Sequence, residues 1–335
     1  MKYKAGIYGG KECVYVEERE LEPCGPNDII VKNLYCGVCG ADIDIYKDGP
    51  EGHAYKVGGF FGHEQLSEII EVGENVKDLE IGQHVYCFGS YARPRDIGGT
   101  AGFSSHMWIP NAKKDWNVIV IPEGVNDEKA ALIEPFQIGT KAARLGEPKG
   151  KGVVVYGAGM IGMTAAFAAR EMGATKVMVC DLSDYRLNNA KNCGFETCNP
   201  STEDIREKGK AVFGPNTFAR KDSFEAAVWI DATGKAPVPA TFQDVAMFGA
   251  TLVVVGVHVQ PREIDLKRIT YSQHRLQGSA GYEHQDFPII FQILEKYDKE
   301  LNNLISHRFT QDQLADAIKQ ATKASETLKV MVKFE

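Results

Sequence analysis

VVVYGAGMIGMTAAFAAREMGATKVMVCD, residues 153–181, is the stretch whose reading decides the fold. Three β-branched residues, Val153, Val154 and Val155, lead into Gly157-Ala158-Gly159-Met160-Ile161-Gly162. A helix-compatible segment follows, and a second apolar run, Lys176 to Cys180, closes on Asp181. Glycines at this spacing say little alone. Here they follow a strand, open a helix and precede an acid nineteen residues past the last glycine, the context of a dinucleotide-binding βαβ unit. Gly157 permits the tight turn, Gly159 lets backbone approach a pyrophosphate, and Gly162 lets helix and strand pack closely. The helix N-terminus offers unpaired N–H groups and a favourable dipole to phosphates. Asp181 accepts hydrogen bonds from ribose hydroxyls and repels a 2′-phosphate, so the motif favours NAD over NADP.

Outward from this unit, 335 residues exceed one compact core of ordinary size, and two domains are expected. An apolar fraction of 44% with 25% charged residues is that of a soluble globular protein. A net charge of −7 gives no basis for nucleic acid or an anionic membrane as partner. No apolar run reaches the ~18 residues of a membrane span, and MKYKAGIYGG lacks a signal peptide's apolar region. The eight cysteines are therefore expected to be reduced, in a cytoplasmic protein, and any cluster reads as metal-binding or reactive.

Residues 1 to about 110 alternate short strands with turns. Strands are expected at Glu12–Glu17, Asp28–Leu34, Gln65–Val72 and His84–Phe88, the pattern of a small β-barrel-type domain. From Glu128 to Arg144 an Ala-rich helical spacing takes over, interrupted at Pro135 and Gly139. Beyond the fingerprint, strands at Ala226–Asp231, Ala250–Val257 and Arg275–Ser279 alternate with helices at Leu187–Asn192 and Val238–Met247. That alternation predicts a doubly wound parallel sheet. A helix at Ile289–Tyr297, a strand at Ile305–Phe309, a helix from Gln311 and a strand at Leu328–Phe334 close the chain, and these last strands lack βαβ partners and are free to return to the first domain.

Three places offer metal ligands: Cys36-Gly-Val-Cys39-Gly-Ala-Asp42, Gly62-His63-Glu64 and Glu134-Pro135. Thiolate, imidazole and carboxylate suit zinc, and three protein ligands leave a fourth position open. Taken singly, each has an ordinary reading: two buried thiols or a redox pair, a surface His-Glu, and a carboxylate at a helix N-terminus.

In combination and order, these segments resemble the zinc-dependent medium-chain alcohol dehydrogenases, closest to the polyol (sorbitol-like) and threonine dehydrogenases. The resemblance runs through CGVCGAD (36–42), GHE (62–64), EVGENVKDLEIGQHV (71–85), EPFQIGTKA (134–142), YGAGMIG (156–162) and SHRF (306–309). It implies an α/β architecture: a GroES-like β-barrel-type catalytic domain (1–137 and 285–335) and a Rossmann NAD-binding domain (138–284). It further implies one catalytic zinc on Cys39, His63 and either Glu64 or Glu134, with Cys36 a neighbouring thiol. The expected cofactor contacts are Gly157, Gly159, Met160, Ile161, Gly162, Asp181, Arg186, Val255, Gly256, Val257 and Arg308. The implied reaction passes a hydride between a secondary alcohol and NAD. The partners are a small alcohol or ketone and copies of the chain, in a dimer or tetramer, with Leu252–Val257 as a candidate edge strand.

Two departures stand out. The stretch from Val85 to Gly99 holds only Cys87 where many relatives carry four cysteines for a structural zinc, so no such site is expected. Two residues past Cys39 stands Ala41, which has no transferable proton where relatives have Ser or Thr, and Asp44 replaces a common His. The alcohol proton must then leave by another route, for which Glu64 and Asp44 are the candidates; Asp44 reads equally as a solvated loop carboxylate. Tyr46, Phe60, Phe88 and Trp108 read either as lining a substrate pocket or, as is commoner for aromatics at this density, as core. The rival readings are a threonine-type hydroxy amino acid dehydrogenase and a zinc-free reductase or sensor of the same fold.

Overall fold

A computed structural model describes residues 1–21, 23–51, 55–88, 101–216, 218 and 222–335. In chain order it begins with β1 (Lys2–Gly10), β2 (Cys13–Glu20), β3 (Ile29–Gly37), α1 (Gly40–Asp48), β4 (Gly59–Phe60), β5 (Glu64–Val72), β6 (His84–Cys87), β7 (His106–Ile109) and β8 (Val118–Val120). After α2 (Asp127–Ala130) and α3 (Ile133–Gly146) come β9 (Gly152–Tyr156), α4 (Met160–Glu171), β10 (Lys176–Cys180), α5 (Asp184–Asn192), β11 (Glu196–Cys198) and α6 (Ile205–Phe213). A two-strand ribbon, β12 (Pro215–Asn216) and β13 (Ser223–Phe224), precedes β14 (Val228–Asp231), α7 (Pro237–Val245), β15 (Thr251–Val254), α8 (Leu266–Ser272) and β16 (Arg275–Gly278). The chain closes with α9 (Phe287–Lys296), α10 (Asp298–Leu301), β17 (Ile305–Thr310), α11 (Leu314–Ala321) and β18 (Lys329–Lys333).

The chain divides into two units, 1–134 with 304–335 and 135–303. In the first, a seven-stranded sheet runs β17-β18-β3-β5-β6-β8 with β7 also on β3, beside a small sheet β2-β1-β4. Alternation along β1 buries Ala5 and Ile7 against Ile29, Val31, Ile69 and Val85, the apolar filling of this unit. The two late strands do return here: β18 pairs antiparallel with β3, setting Val332 opposite Cys36.

The second unit is a six-stranded parallel sheet, β11-β10-β9-β14-β15-β16. Its central strands are buried along their whole length, as a parallel sheet with both faces covered requires. Gly157 adopts φ +102°, closed to most side chains, and a Cβ on Gly162 would strike the Gly157 carbonyl; the turn from β9 into α4 therefore tolerates neither substitution.

Four expectations change. The second unit extends to Asn303 because α9 and α10 pack on its other helices: the Tyr297 hydroxyl donates to Glu171 (2.9 Å) and Phe167 and Tyr297 are in ring contact. Pro135 does not interrupt α3, since at the third helical position its missing N–H has no intrahelical partner to lose. Leu252–Val257 is no edge: β15 lies between β14 and β16, and the edge on that side of the sheet is β16, all four of whose residues are exposed. Phe60, Phe88 and Trp108 are buried, Phe60 in the core of the first unit and Trp108 donating to Asp28 (3.0 Å), while Tyr46 is half-buried against the core.

Trp229 is fully buried, with its ring 5.9 Å from Tyr156, 5.6 Å from Phe224 and 5.8 Å from Phe242. Trp229→Ala is expected to cost about 3–5 kcal/mol, seen as a lowered urea midpoint with unchanged secondary structure at low urea.

Candidate metal centre and nucleotide cleft

The metal candidates converge. One ligand atom from each of Cys39, His63, Glu64 and Glu134 lies within 4.8 Å of all the others. Each is delivered by the end of an element. Cys39 is the N-cap of α1, His63 and Glu64 stand where the chain enters β5, and Glu134 lies in the first turn of α3. Zinc bonds of roughly 2.0–2.3 Å bring tetrahedral ligands to within about 4 Å of one another, so small side-chain movements complete a site.

Supporting groups hold these ligands. Asp42 accepts from the Cys39 N–H (2.9 Å), and its other oxygen, buried and without a hydrogen bond, stands 3.9 Å from His63 Nδ1. The Tyr55 hydroxyl also meets His63 Nδ1, at 3.1 Å. With Nδ1 so engaged, Nε2 is the nitrogen available to an ion, the usual arrangement of a ligating histidine. The Glu64 carboxylate is ion-paired to Lys329 Nζ, which also donates to the Val38 carbonyl (2.9 Å). Both partners are buried. A Cβ on Gly37 would fall on the Glu64 carboxylate, so the glycine makes room for it.

The pocket is crowded with acids. Burial lifts Glu134 to about 7, with His63 opposing and Glu64 adding. Burial likewise raises Cys39 and Asp42. For His63 burial works downward, but Cys39, Asp42 and Glu134 drive it well above its ordinary value. For Lys329 too burial works downward, and Glu64, Cys39 and Glu134 outweigh it. The donor set thus fits a dication: it supplies soft and hard ligands at one point, and negative charge for which Lys329 is a single fixed counter-charge.

Cys36 is buried beside the site and is not among the converging groups, its thiol directed at the Gly37 carbonyl (3.5 Å). Asp44 lies exposed on α1 and Ala41 is half-buried. Cys87 is buried and unpaired; residues 89–100, where a structural-zinc lobe would stand, lie outside the described residues.

In the second unit a cleft of about 680 Å³ opens at the carboxyl ends of the parallel strands. It lies at the point where strand order turns back on either side of β9, the place open α/β sheets bind ligands. Gly157, Gly159, Asp181 and Arg186 line it, joined by Thr233 and Lys235. Asp181 is held by two backbone donors, Ala158 N–H (2.7 Å) and Ser183 N–H (2.8 Å). Each carboxylate oxygen keeps a lone pair for a ribose hydroxyl. Arg186 Nη1 comes within 3.6 Å of where a Gly159 side chain would begin. Met160 and Ile161 form the first turn of α4, and Gly162 packs against the Gly157 carbonyl beneath it.

Val255 and Gly256 are half-buried and Val257 is exposed; none lines this cleft. Their loop is held by Asp231, whose carbonyl accepts from the Val255 and Gly256 N–H groups and whose carboxylate meets His258 Nε2 (2.8 Å). Arg308, the remaining expected cofactor contact, is clamped by both oxygens of Glu128, at 2.6 and 2.9 Å. Sequence reasoning missed Lys329 and Tyr55, and it quoted Asp42 in the CGVCGAD stretch without giving it a part. Lys329 sits in a short apolar strand run, Leu328–Phe334, where a buried lysine signals an acidic partner, but nothing local names Glu64.

Two family models match the chain: "Alcohol dehydrogenase GroES-like domain" over residues 25–123 and "Zinc-binding dehydrogenase" over 161–296. The chain is 29% identical to sorbitol dehydrogenase of Mus musculus, covering 98% of this chain and 95% of that protein. It is 25% identical to L-threonine 3-dehydrogenase of Cronobacter sakazakii, covering 93% of each. Among solved structures, 2R,3R-butanediol dehydrogenase from Bacillus subtilis superposes with a TM-score of 0.85 at 22% identity, covering 99% of each chain.

Lys329→Met should destabilise the metal-free protein by about 3–5 kcal/mol by leaving Glu64 charged and unpaired in the interior. Added zinc should recover much of the loss. Urea unfolding with chelator and with zinc checks this; an equal loss in both refutes the charge-balancing role.

Proposed function

The chain is a member of the zinc-dependent medium-chain alcohol dehydrogenases, and from that membership we propose an NAD-dependent oxidoreductase acting on a secondary alcohol of a polyol, sugar alcohol or cyclitol. The observation that carries this is the convergence of Cys39, His63, Glu64 and Glu134, whose ligand atoms all lie within 4.8 Å of one another.

When bound, zinc supplies Lewis acidity toward an alcohol oxygen, and the nicotinamide supplies the hydride acceptor. The chain's residues set the conditions. Cys39 and His63 are the fixed ligands, one anchored through the start of α1 and the other through Tyr55 and Asp42. Glu134 is the third ligand, and Glu64, held back by Lys329, is the ligand in reserve. Ala41 passes no proton. We assign the outward transfer to the buried Glu64 and to Asp44, exposed in the middle of α1. Asp181 and the start of α4 take the adenosine ribose and pyrophosphate of NAD, with Arg186 beside them. The Val255–Val257 loop, steadied by Asp231, takes the nicotinamide.

We propose one catalytic zinc and no structural zinc, a cytoplasmic setting for eight cysteines without disulfides, and a homo-oligomer. No described helix is long and apolar enough to cross a membrane. Self-association is assigned to the free edge of β16, where Leu276 is 44% exposed.

A zinc assay with an NAD-coupled screen of polyols, hydroxy amino acids and simple secondary alcohols tests the reading. One zinc per chain is expected, with polyol turnover lost on chelation; turnover of threonine and no polyol would overturn the substrate class. Asp181→Ala should raise KM for NAD about tenfold or more, the loss of hydrogen bonds to a charged group, with a smaller effect on kcat. Leu276→Glu should lower the apparent mass in size-exclusion chromatography while leaving the circular dichroism unchanged.

A further inference from the structure

At the carboxyl ends of β9, β10 and β11, Tyr156, Cys180 and Cys198 are register partners in one row across three parallel strands. Such residues project to the same sheet face. All three belong to one buried cluster with Phe224 and Trp229. Neighbouring strands lie about 4.8 Å apart, inside the ~4.4–6.8 Å Cα separation over which two cysteines can be joined. Both thiols are unpaired and wholly screened from bulk water. Yet Cys180 and Tyr156 line the nucleotide cleft, and the Tyr156 hydroxyl is buried without a hydrogen-bond partner.

The row is tied to the residue expected to hold the cofactor. Cys180 leads directly into Asp181, and the Asp181 N–H donates to the Cys198 carbonyl (3.2 Å). A bond between the two sulfurs would draw their β-carbons to about 3.8 Å and shift the ends of both strands. Asp181, held in place by Ala158 and Ser183, sits where that shift is delivered.

We propose that Cys180 and Cys198 form a reversible dithiol–disulfide site, oxidised by a hydroperoxide, that governs entry of the dinucleotide to the cleft. It rests on the dinucleotide reading of that cleft.

The two sulfurs are placed differently: Cys180 lines the cleft, and Cys198 stands behind it in the row. Cys180 is thus the sulfur that meets a peroxide in the cleft, and Cys198 is the resolving thiol. The Cys180 sulfur attacks one oxygen of the hydroperoxide and the O–O bond breaks. The leaving oxygen takes up the Cys180 proton, and Cys180 becomes a sulfenic acid. The Cys198 sulfur then attacks the Cys180 sulfur; the S–O bond breaks and hydroxide leaves with the Cys198 proton as water. Two thiols lose two electrons and two protons, and hydrogen peroxide is reduced to two waters.

The test titrates the reduced, metal-loaded protein with NADH before and after hydrogen peroxide and maps the thiols by digestion. Trypsin separates Cys180 (peptide 177–186) from Cys198 (peptide 192–206), and fragment ions tell Cys198 from Cys193. We expect a Cys180–Cys198 link and NADH binding about tenfold or more weaker, the loss of hydrogen bonds to one carboxylate. A thiol reductant should restore binding, and prebound NADH should slow formation of the link. Cys198→Ala should bind NADH as the parent does and keep its affinity after peroxide. Oxidation of the exposed Cys13 without a Cys180–Cys198 link overturns the proposal, as does a link that leaves NADH affinity unchanged. A reduced protein that binds no NADH overturns the cofactor reading and the gating with it; intact binding without the link overturns only the dithiol site.

Discussion

Negative charge gathered away from water is the constraint around which the first unit is arranged. Asp42 and Glu64 are almost wholly buried, and Cys39 and Glu134 stand close by. Isolated carboxylates in such a setting neutralise themselves or find a partner. The protein meets this with Lys329, with backbone and side-chain donors to Asp42 and Glu64, and with a shape that leaves room for a dication. The supporting contacts that aim each ligand are as much part of the centre as the ligands are. Gly37 has no side chain because the Glu64 carboxylate needs its space.

The second unit answers a different requirement with backbone rather than charge. Its central strands have no solvated face, so the sheet is held by apolar packing on both sides. Polar chemistry is confined to the carboxyl ends of the strands. There Asp181 and Asp231, closing β10's turn and β14, each use their carboxylates to fix the loops around them. A carboxylate held by backbone N–H groups costs little to present to a ligand, since its orientation is settled before binding.

Much of this was legible in the residues. The fingerprint specifies a local βαβ unit, and local signals survive folding unchanged, so Gly157, Gly159 and Asp181 lie where the motif puts them. The metal ligands come from segments far apart in sequence. Their convergence was readable only through the resemblance of several segments taken together. What failed has physical causes. Leu252–Val257 reads as either an edge or an interior strand, because both are continuous apolar runs. Phe60 and Trp108 look the same as pocket-lining aromatics and as core. Lys329 was invisible because its partner is 265 residues away, and no periodicity encodes such a pairing.

That separation bears on how the molecule is made. The strand carrying Lys329 pairs with β3, so on the ribosome β3 and Glu64 emerge long before β18 and Lys329 exist. The parallel sheet, whose strands all lie between 152 and 278, can close while the tail is still being synthesised. The barrel-type unit cannot, and its acidic pocket acquires its ammonium only with β18. Loop closure over such a span is slow relative to local pairing. Nascent chains truncated before β18 would therefore display a finished nucleotide fold and an acidic pocket still lacking its lysine.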